Sequence, residues 1–216
     1  MKDTFWFKEF DISQLLPSNW KSDIIDLTKK FAVNKNLSPT SVTSRESSDI
    51  STIKVATVSG KIITEKLPWL RKMYETTFLE IGKTCVNEDV FIAQDDRYAI
   101  NLNYQYGLNM RYECHVDSNP LEGLLYVTDH PESTGGELVV GLNTNAKSIE
   151  EVNDDCIKIY PKSGYLVFFD ARKFPHYVAN LKTEDSFRIV LAMNFYTPSC
   201  PESSRPSDLN KHLGIE

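Results

Sequence analysis

Apolar residues recur at helical spacing in two stretches of the N-terminal part of the chain. The first predicts a helix that starts at a cap residue, Ser18 or Asn19, and ends near Ala32. The second predicts a helix over residues 68–84, with Pro68 in its first turn. We interpret both helices as a scaffold that backs a sheet.

The rest of the N-terminal part lacks a helical period. Clustered aromatic residues predict a short strand or arm over residues 5–10 that packs on the core. Residues 34–49 are rich in Ser, Thr and Asn and predict a loop. Residues 50–64 predict a β-hairpin that turns at Ser59 and Gly60.

From residue 89 the pattern changes to short runs typical of β-strands. The clearest alternation spans residues 98–106, where every second residue is apolar or aromatic. The predicted strands cover residues 98–106, 111–117, 121–128, 136–141, 156–160, 164–169, 176–181 and 187–196. Short strands at this spacing indicate a jelly roll, so we predict an α+β fold in which N-terminal helices back a jelly roll.

The length of 216 residues predicts a single domain. We divide it into a helical and hairpin scaffold at residues 1–88, a β-rich core at residues 89–198 and a tail at residues 199–216. The tail is rich in Ser and Pro, and a short helix is predicted over residues 207–213.

Charge and cysteine content narrow the classes of function. The formal net charge of −6 disfavours nucleic acid or an anionic membrane as the main partner. The four cysteines include no Cys-X-X-Cys pair, and no apolar run is long enough to span a bilayer. We expect a cytoplasmic protein with free thiols that binds neither nucleic acid nor membrane; the oligomeric state is left open.

The candidate chemistry begins at His115 and Asp117, which lie two residues apart on a predicted strand. Alternate residues of a strand point to the same face, so both side chains can reach one metal ion. A second imidazole would complete the two-histidine, one-carboxylate set typical of Fe(II) oxygenases. The alternative is a surface pair that arose by chance. Cys114, on the opposite face, is predicted to be a small buried apolar residue.

His176 is the candidate for the second imidazole. It opens a predicted strand just after residues 164–170, whereas His130 lies in a Thr-Asp-His-Pro turn and His212 in the tail. Farther along, Arg188 stands inside an apolar strand, where burial is costly without an anion. A guanidinium there suits bidentate binding of a carboxylate; the alternative is an edge-strand arginine in solvent.

The span of residues 98–198 resembles the Fe(II)/2-oxoglutarate-dependent dioxygenases, especially their prolyl-hydroxylase-like branch. The resemblance rests on motifs in the order and at roughly the spacing of that family: Cys-His-Val-Asp, Leu-Leu-Tyr-Val-Thr, Thr-Gly-Gly-Glu-Leu, Pro-Lys-Ser-Gly-Tyr-Leu-Val-Phe-Phe, Phe-Pro-His-Tyr-Val and Phe-Arg-Ile-Val-Leu. It implies a double-stranded β-helix that uses Fe(II), 2-oxoglutarate and O2, and that couples release of succinate and CO2 to hydroxylation.

The resemblance also implies roles for individual residues. His115, Asp117 and His176 match the iron ligands, which makes them the implied catalytic centre. Arg188 and Tyr126 are implied to hold the distal carboxylate of 2-oxoglutarate. Tyr104 matches, less securely by its spacing, a cofactor-binding tyrosine on the strand before the His-X-Asp motif. The sequence further resembles a branch that acts on free amino acids and includes radical halogenases. Halogenases have Gly or Ala at the position of Asp117, so the resemblance implies a hydroxylase.

Strand alternation predicts a substrate site beside the iron. Arg111 and Glu113 share the face of His115 and could hold the carboxylate and ammonium groups of a free amino acid, for instance a lysine-like one. Asn194 and Asn101 are further polar candidates. The alternative is a bulge before His115 that leaves Arg111 and Glu113 in solvent.

Two other functions remain open from the sequence. One is a peptidyl-prolyl or other protein hydroxylase, although the short acidic loop over residues 143–156 disfavours a large polypeptide. The other is a jelly-roll binding module without catalysis, which would be expected to lack an iron ligand or the arginine.

Overall fold

The computed structural model describes residues 4–37, 39–46 and 52–213. Within them the helices are α1 (Trp20–Phe31), α2 (Gly60–Lys66), α3 (Pro68–Met73), α4 (Leu79–Lys83), α5 (Asp96–Ala99), α6 (Ile149–Asp154) and α7 (Leu209–His212). A π-helical turn, Tyr74–Phe78, joins α3 to α4, and a 3₁₀ turn covers Glu202–Ser204. The strands are β1 (Phe7–Asp11), β2 (Val33–Leu37), β3 (Ile53–Val58), β4 (Phe91–Ile92), β5 (Ile100–Tyr106), β6 (Tyr112–His115), β7 (Leu121–Tyr126), β8 (Leu138–Gly141), β9 (Cys156–Ile159), β10 (Tyr165–Phe169), β11 (His176–Val178) and β12 (Phe187–Tyr196).

The strands form two sheets. The larger has the order β1-β10-β7-β12-β5-β3-β2, with β4 also paired to β12, and the smaller has the order β6-β11-β8-β9. Apolar residues of both sheets pack in one buried cluster, which includes Leu124, Val190 and Leu138. The predicted α+β class with a jelly-roll core is confirmed.

Alternation along β12 explains why helices cover one face of the larger sheet. The apolar set Ile189, Leu191 and Met193 packs with buried residues of α1, α2 and α3. The alternate set faces the smaller sheet: Arg188, Val190, Ala192 and Asn194. A strand with apolar residues on both faces lies between two layers, so β12 lies between the helices and the smaller sheet.

The N-terminal part is built into the larger sheet. The predicted first helix is confirmed as α1, and the second as the continuous run α3, π turn and α4. The strand predicted over residues 5–10 is confirmed as β1, which pairs with β10. On the other side of the sheet, β3 pairs with β5.

The predicted hairpin over residues 50–64 is wrong. Residues 50 and 51 lie outside the described residues, and β3 is followed by helix α2 where a second strand was expected. Gly60 is the first residue of that helix and packs directly against the backbone of Asp96. A Cβ atom at this position would lie 1.9 Å from the Asp96 carbonyl oxygen. The glycine therefore permits close packing of two chain segments, which a sequence pattern does not distinguish from a turn.

The loop predicted over residues 34–49 is also partly wrong, because residues 34–37 belong to β2, which pairs with β3. The segment of residues 41–46 then runs beside β6. The Val116 N–H donates to the Thr43 carbonyl, and the Arg45 N–H donates to the Cys114 carbonyl. This segment therefore covers the edge of the smaller sheet that carries His115.

The tail contacts the 41–46 segment. The predicted tail helix is present as α7, and the Val42 N–H donates to the Asp208 carboxylate at 3.0 Å.

Among the described residues, no helix is both long and apolar enough to cross a membrane.

Candidate active site

A cavity of about 310 Å³ lies between the two sheets. The smaller sheet contributes His115 and His176, and the larger sheet contributes the inward-facing residues of β5, β7 and β12. Thr43, Leu209 and Leu213 line it as well, so the 41–46 segment and the tail help to enclose it. The volume is at the lower end of the range for small-molecule sites.

His115, Asp117 and His176 meet on the wall of this cavity, as the sequence predicts. One ligand atom from each residue lies within 4.8 Å of the others. The Nε2 atom of His115 is 3.2 Å from Asp117 Oδ1, and the Nε2 atom of His176 is 3.6 Å from Asp117 Oδ2. The pairing of His115 with His176 across β6 and β11 brings together residues that are far apart in sequence.

Backbone carbonyls orient both imidazoles. The Nδ1 atom of His115 is 2.8 Å from the Glu113 carbonyl oxygen, and that of His176 is 3.0 Å from the Phe174 carbonyl oxygen. Carbonyl oxygens only accept hydrogen bonds, so each Nδ1 carries a proton and each Nε2 is the ring atom left to bind a metal ion. Metal-binding histidines are commonly held in this way.

The three groups change one another's pKa values. Burial lowers the pKa of His115. The hydrogen bond to Asp117 and the negative charge of Asp117 raise it by more, so that the pKa is about 9. Burial and the charge of His115 lower the pKa of His176 to about 4. Burial opposes ionisation of Asp117, yet the two imidazoles hold its pKa below the ordinary value. Two imidazoles and one carboxylate suit Fe(II), so the donor set fits this ion.

Arg188 lies in the same interior with unused donors. It is 2% exposed, and its Nε and Nη2 atoms have no hydrogen-bond partner among the described residues. Burial lowers the pKa of its guanidinium. A buried cation without an anion is costly, and a carboxylate placed here would supply the missing bonds. The orphaned donors therefore fit the distal carboxylate of 2-oxoglutarate.

The two predicted tyrosines differ in position. Tyr126 is fully buried beside Arg188, whose Cζ atom lies 5.6 Å from the centre of its ring. Its hydroxyl makes no hydrogen bond of normal geometry among the described residues. Burial raises its pKa to about 12, although the nearby Arg188 guanidinium lowers it. Tyr126 is thus placed to bind the same carboxylate as Arg188, and its role stays a prediction.

The predicted role of Tyr104 is corrected. Tyr104 pairs with Ile189 on the helix-facing side of β5 and β12, and its ring packs against Tyr106 and Phe187. Its neighbour Asn103 lines the cavity instead. Alternation along β5 therefore points Tyr104 away from the place where 2-oxoglutarate would bind.

The regular strand predicted before His115 is interrupted by a bulge. His176 is paired with His115, but Val178 is paired with Tyr112, so β6 contains one extra residue. As a result Tyr112 lines the cavity in place of Arg111, with its ring centre 5.3 Å from that of His115.

Arg111 is corrected from a substrate-binding residue to a structural one. Its Nη1 and Nη2 atoms donate to the two carboxylate oxygens of Glu46 at 2.5 and 2.7 Å. The same carboxylate accepts the Cys114 N–H at 2.6 Å. Cys114 is fully buried on the far side of the strand, as predicted. The ion pair thus fastens the 41–46 segment to the strand that carries His115.

The remaining predicted substrate residues do line the cavity. Glu113 lies on its wall and is 1% exposed, while Asn194 and Asn101 lie on its floor. Asn194 donates to the Tyr98 carbonyl at 2.8 Å. Substrate contact by these residues stays a prediction.

The sequence reasoning missed Glu122, which also lines the cavity. It is 4% exposed on β7, a strand whose six residues are all buried. Burial and the charge of Asp117 raise its pKa well above the ordinary value. Its signal is the one that identified Arg188: a charged residue inside an apolar run.

Comparison with known proteins agrees with this geometry. The family profile described as the 2OG-Fe(II) oxygenase superfamily matches residues 99–196. That range contains the candidate iron ligands and Arg188. No curated protein matches the chain by sequence.

Solved structures share the fold at low sequence identity. An oxidoreductase of the 2OG-Fe(II) oxygenase family from Burkholderia pseudomallei has a TM-score of 0.62 at 12% identity, over 93% of this chain and 89% of that one. SnoK, a non-heme alpha-ketoglutarate-dependent carbocyclase from nogalamycin biosynthesis, has a TM-score of 0.61 at 15% identity, over 97% and 86%. A prolyl hydroxylase from Trichoplax adhaerens, solved with a hypoxia-inducible-factor peptide, has a TM-score of 0.58 at 15% identity, over 89% and 84%. At these identities the likeness establishes the fold.

Proposed function

Residues 99–196 of this chain belong to the 2OG-Fe(II) oxygenase superfamily, and from that premise we propose that the protein hydroxylates a C–H bond of a free amino acid. Enzymes of this superfamily use Fe(II), 2-oxoglutarate and O2, and the earlier identification of the family is confirmed. The observation that carries the proposal is one cavity lined both by the three candidate metal ligands and by a buried arginine whose Nε and Nη2 atoms have no hydrogen-bond partner among the described residues.

Each side chain has a defined task in this proposal. His115, Asp117 and His176 hold the ion, and the two backbone carbonyls behind the imidazoles keep both Nε2 atoms directed toward it. Arg188 orients 2-oxoglutarate through its distal carboxylate. When bound, the metal and 2-oxoglutarate supply the oxidising chemistry with O2, and the chain supplies placement and electrostatics.

The carboxylate of Asp117 supports hydroxylation over halogenation. It lies between both imidazoles and provides the third ligand, so the position left free for halide in halogenases is filled here. The two histidines and Arg188 are present as well, which disfavours a non-catalytic jelly-roll module.

The dimensions of the cavity support a small substrate. It encloses about 310 Å³, and Thr43, Leu209 and Leu213 line it in addition to the sheets. A polypeptide substrate needs an open groove, whereas here the tail and the 41–46 segment are joined by the hydrogen bond from Val42 to Asp208. The polar groups on the walls suit a zwitterion better than a hydrocarbon.

The cysteines support the proposed cytoplasmic location. Cys85, Cys114, Cys156 and Cys200 are all free thiols. Free thiols are typical of a reducing compartment.

A substrate screen tests the proposal. The purified protein is supplied with Fe(II), 2-oxoglutarate and O2, and succinate release is measured with each of the twenty amino acids and with a proline-containing peptide. The His176→Ala variant gives the background. We expect at least one free amino acid to raise succinate release in the wild type only, together with an oxygenated product detected by mass spectrometry.

The outcomes separate the candidate functions. Stimulation by the peptide alone would replace the amino-acid proposal with a protein hydroxylase. Absence of any stimulation, in a protein that still binds iron and 2-oxoglutarate, would also contradict the amino-acid substrate. Equal rates in the wild type and His176→Ala would contradict the assignment of the metal site.

A further inference from the structure

We infer that Glu122 binds the side-chain ammonium group of a cationic amino acid, an inference that rests on the amino-acid substrate proposed above. The inference rests on a buried carboxylate on the cavity floor that forms no ion pair among the described residues. Its position, its partners and the charges around it each support this assignment.

Glu122 lies at the opposite end of the floor from Arg188. Glu122 on β7 is paired directly with Asn194 on β12, six residues along the strand from Arg188. At the rise of a β-strand, this separation corresponds to about 20 Å. Arg188, which suits 2-oxoglutarate, and Glu122 therefore lie at opposite ends of the floor.

The partners of Glu122 are neutral. Its Oε2 atom accepts from the Asn119 side-chain amide at 2.9 Å, and the Met193 backbone amide lies close enough to lower its pKa. Across the described part of the chain, no lysine, arginine or histidine forms an ion pair with Glu122. A buried carboxylate without a counter-ion is costly to the fold, which is typical of a group kept for a ligand.

The other cations that line the cavity do not balance Glu122. Arg97 is paired with Asp95, Lys35 donates to the Leu213 carbonyl, and Lys61 is exposed. A cation that enters with the substrate is thus the natural partner for Glu122.

The surroundings favour the side-chain ammonium over the α-ammonium. Next to Glu122 along the floor, Leu124 is paired with Ala192, and both residues line the cavity. An alkyl chain can cover these apolar residues while its terminal ammonium reaches the carboxylate. The α-ammonium carries an adjacent carboxylate, which Glu122 and Asp117 would repel.

A purely structural role is the competing explanation. Glu122 could serve only to hold Asn119, whose amide also donates to the Leu121 carbonyl at 2.9 Å. The Glu122→Gln variant separates the two roles, because glutamine keeps an oxygen that can accept these bonds and removes the negative charge.

The experiment compares amino acids of matched length. Binding of L-lysine and L-norleucine, and of L-ornithine and L-norvaline, is measured by calorimetry under anaerobic conditions on protein loaded with Fe(II) and 2-oxoglutarate. We expect a cationic member to bind about ten- to hundredfold more tightly than its neutral counterpart in the wild type. In Glu122→Gln that preference disappears, while the Kd of 2-oxoglutarate is unchanged.

Glu137→Gln is the matched control. Glu137 is 5% exposed, similar to Glu122, but it is absent from the cavity lining and lies 3.9 Å from Lys158. This variant should keep the preference for the cationic amino acids.

Four results would overturn the inference. Equal binding of cationic and neutral members by the wild type does so without any variant, so the test holds even if Glu122→Gln fails to fold. A preference retained in Glu122→Gln would show that Glu122 is structural. If neutral amino acids alone bind and release succinate, Glu122 is excluded while the proposed function stands; if none of the four binds, the cationic substrate is rejected and the broader screen decides the proposed function.

Discussion

At the scale of single residues, the molecule is marked by charges buried in apolar strands. Arg188 and Glu122 lie on neighbouring strands of the same sheet, and both are almost fully buried. A lone charge in a buried apolar strand destabilises the folded protein unless a ligand or partner neutralises it. The sequence showed both charges, but only Arg188 was recognised, because its motif context pointed to a carboxylate ligand.

Alternation along a strand predicted some side-chain directions and not others. Cys114 is buried on the face opposite His115, as predicted. Tyr104 was assigned to the wrong face because the alternation shows which residues share a face and does not show which face is inside. On β5 both faces are covered, one by helices and one by the cavity, so apolar character does not identify the interior.

Substitution of Arg188 by methionine tests the unpaired guanidinium. We expect the Kd of 2-oxoglutarate to rise at least about thirtyfold, since a buried charge partner is worth about 2–5 kcal/mol. In the absence of 2-oxoglutarate, the same variant should be more stable than the wild type by about 1–4 kcal/mol, because an uncompensated charge is removed. Calorimetry and chemical denaturation measure the two effects.

Lys61→Met is the control for this variant, since Lys61 also lines the cavity but is exposed. It should change the affinity for 2-oxoglutarate far less. An Arg188→Met protein with unchanged affinity for 2-oxoglutarate and reduced stability would show that the guanidinium is structural.

At the scale of elements, the periodic helices and most strands of the core were predictable, because each has its own apolar pattern. The exceptions occur where a neighbour distant in sequence decides the conformation. Gly60 was read as a turn but lies where α2 approaches the backbone of Asp96 and Ile100. The bulge in β6 depends on its pairing with β11, which is far away in sequence.

Gly60→Ala tests the close approach of α2. The added Cβ would lie 1.9 Å from the Asp96 carbonyl and 2.7 Å from the Ile100 carbonyl, so backbone has to move. We expect a loss of at least about 1–3 kcal/mol in the free energy of unfolding, measured by urea denaturation. Gly82→Ala is the matched control, because its Cβ would contact only side chains, at 3.3 Å or more. Equal stability of both variants would contradict this account of Gly60.

The ion pair of Arg111 and Glu46 gives a second test at this scale. Glu46→Gln leaves the partly buried guanidinium without its anion and should lower the free energy of unfolding by about 2–4 kcal/mol. Arg111→Met should also destabilise, and the double variant should recover part of the loss. Strictly additive effects in thermal denaturation would contradict the coupling.

At the scale of the whole molecule, the cavity joins parts of the chain that are remote in sequence. The 41–46 segment, the two sheets and the tail all contribute to its lining. Sequence patterns report local structure, so they predicted the candidate iron ligands and Arg188 but not which loop and tail residues line the same cavity. The family resemblance supplied the arrangement of the core and carried no information about these enclosing segments.

Binding of Fe(II) and 2-oxoglutarate should stabilise the whole molecule, because the folded state alone assembles the site. At one hundred times the Kd, the expected gain is about 2.7 kcal/mol, or about 5–10 °C in Tm for a chain of this size. A chelator should reverse the shift, and His176→Ala should abolish the part that depends on iron. A shift of equal size in wild type and His176→Ala would indicate that iron binds elsewhere.

The most direct test of the central claim is anaerobic titration of Fe(II) into the protein with 2-oxoglutarate, followed by visible absorption. Chelation of the metal by the keto acid gives a weak metal-to-ligand charge-transfer band, so the spectrum reports the assembled site before any substrate is known. We predict that the band saturates at one equivalent of Fe(II) in the wild type, needs more 2-oxoglutarate in Arg188→Met and is absent in His176→Ala. No band in folded wild-type protein at saturating Fe(II) and 2-oxoglutarate would contradict the assignment of this cavity as an Fe(II)/2-oxoglutarate site.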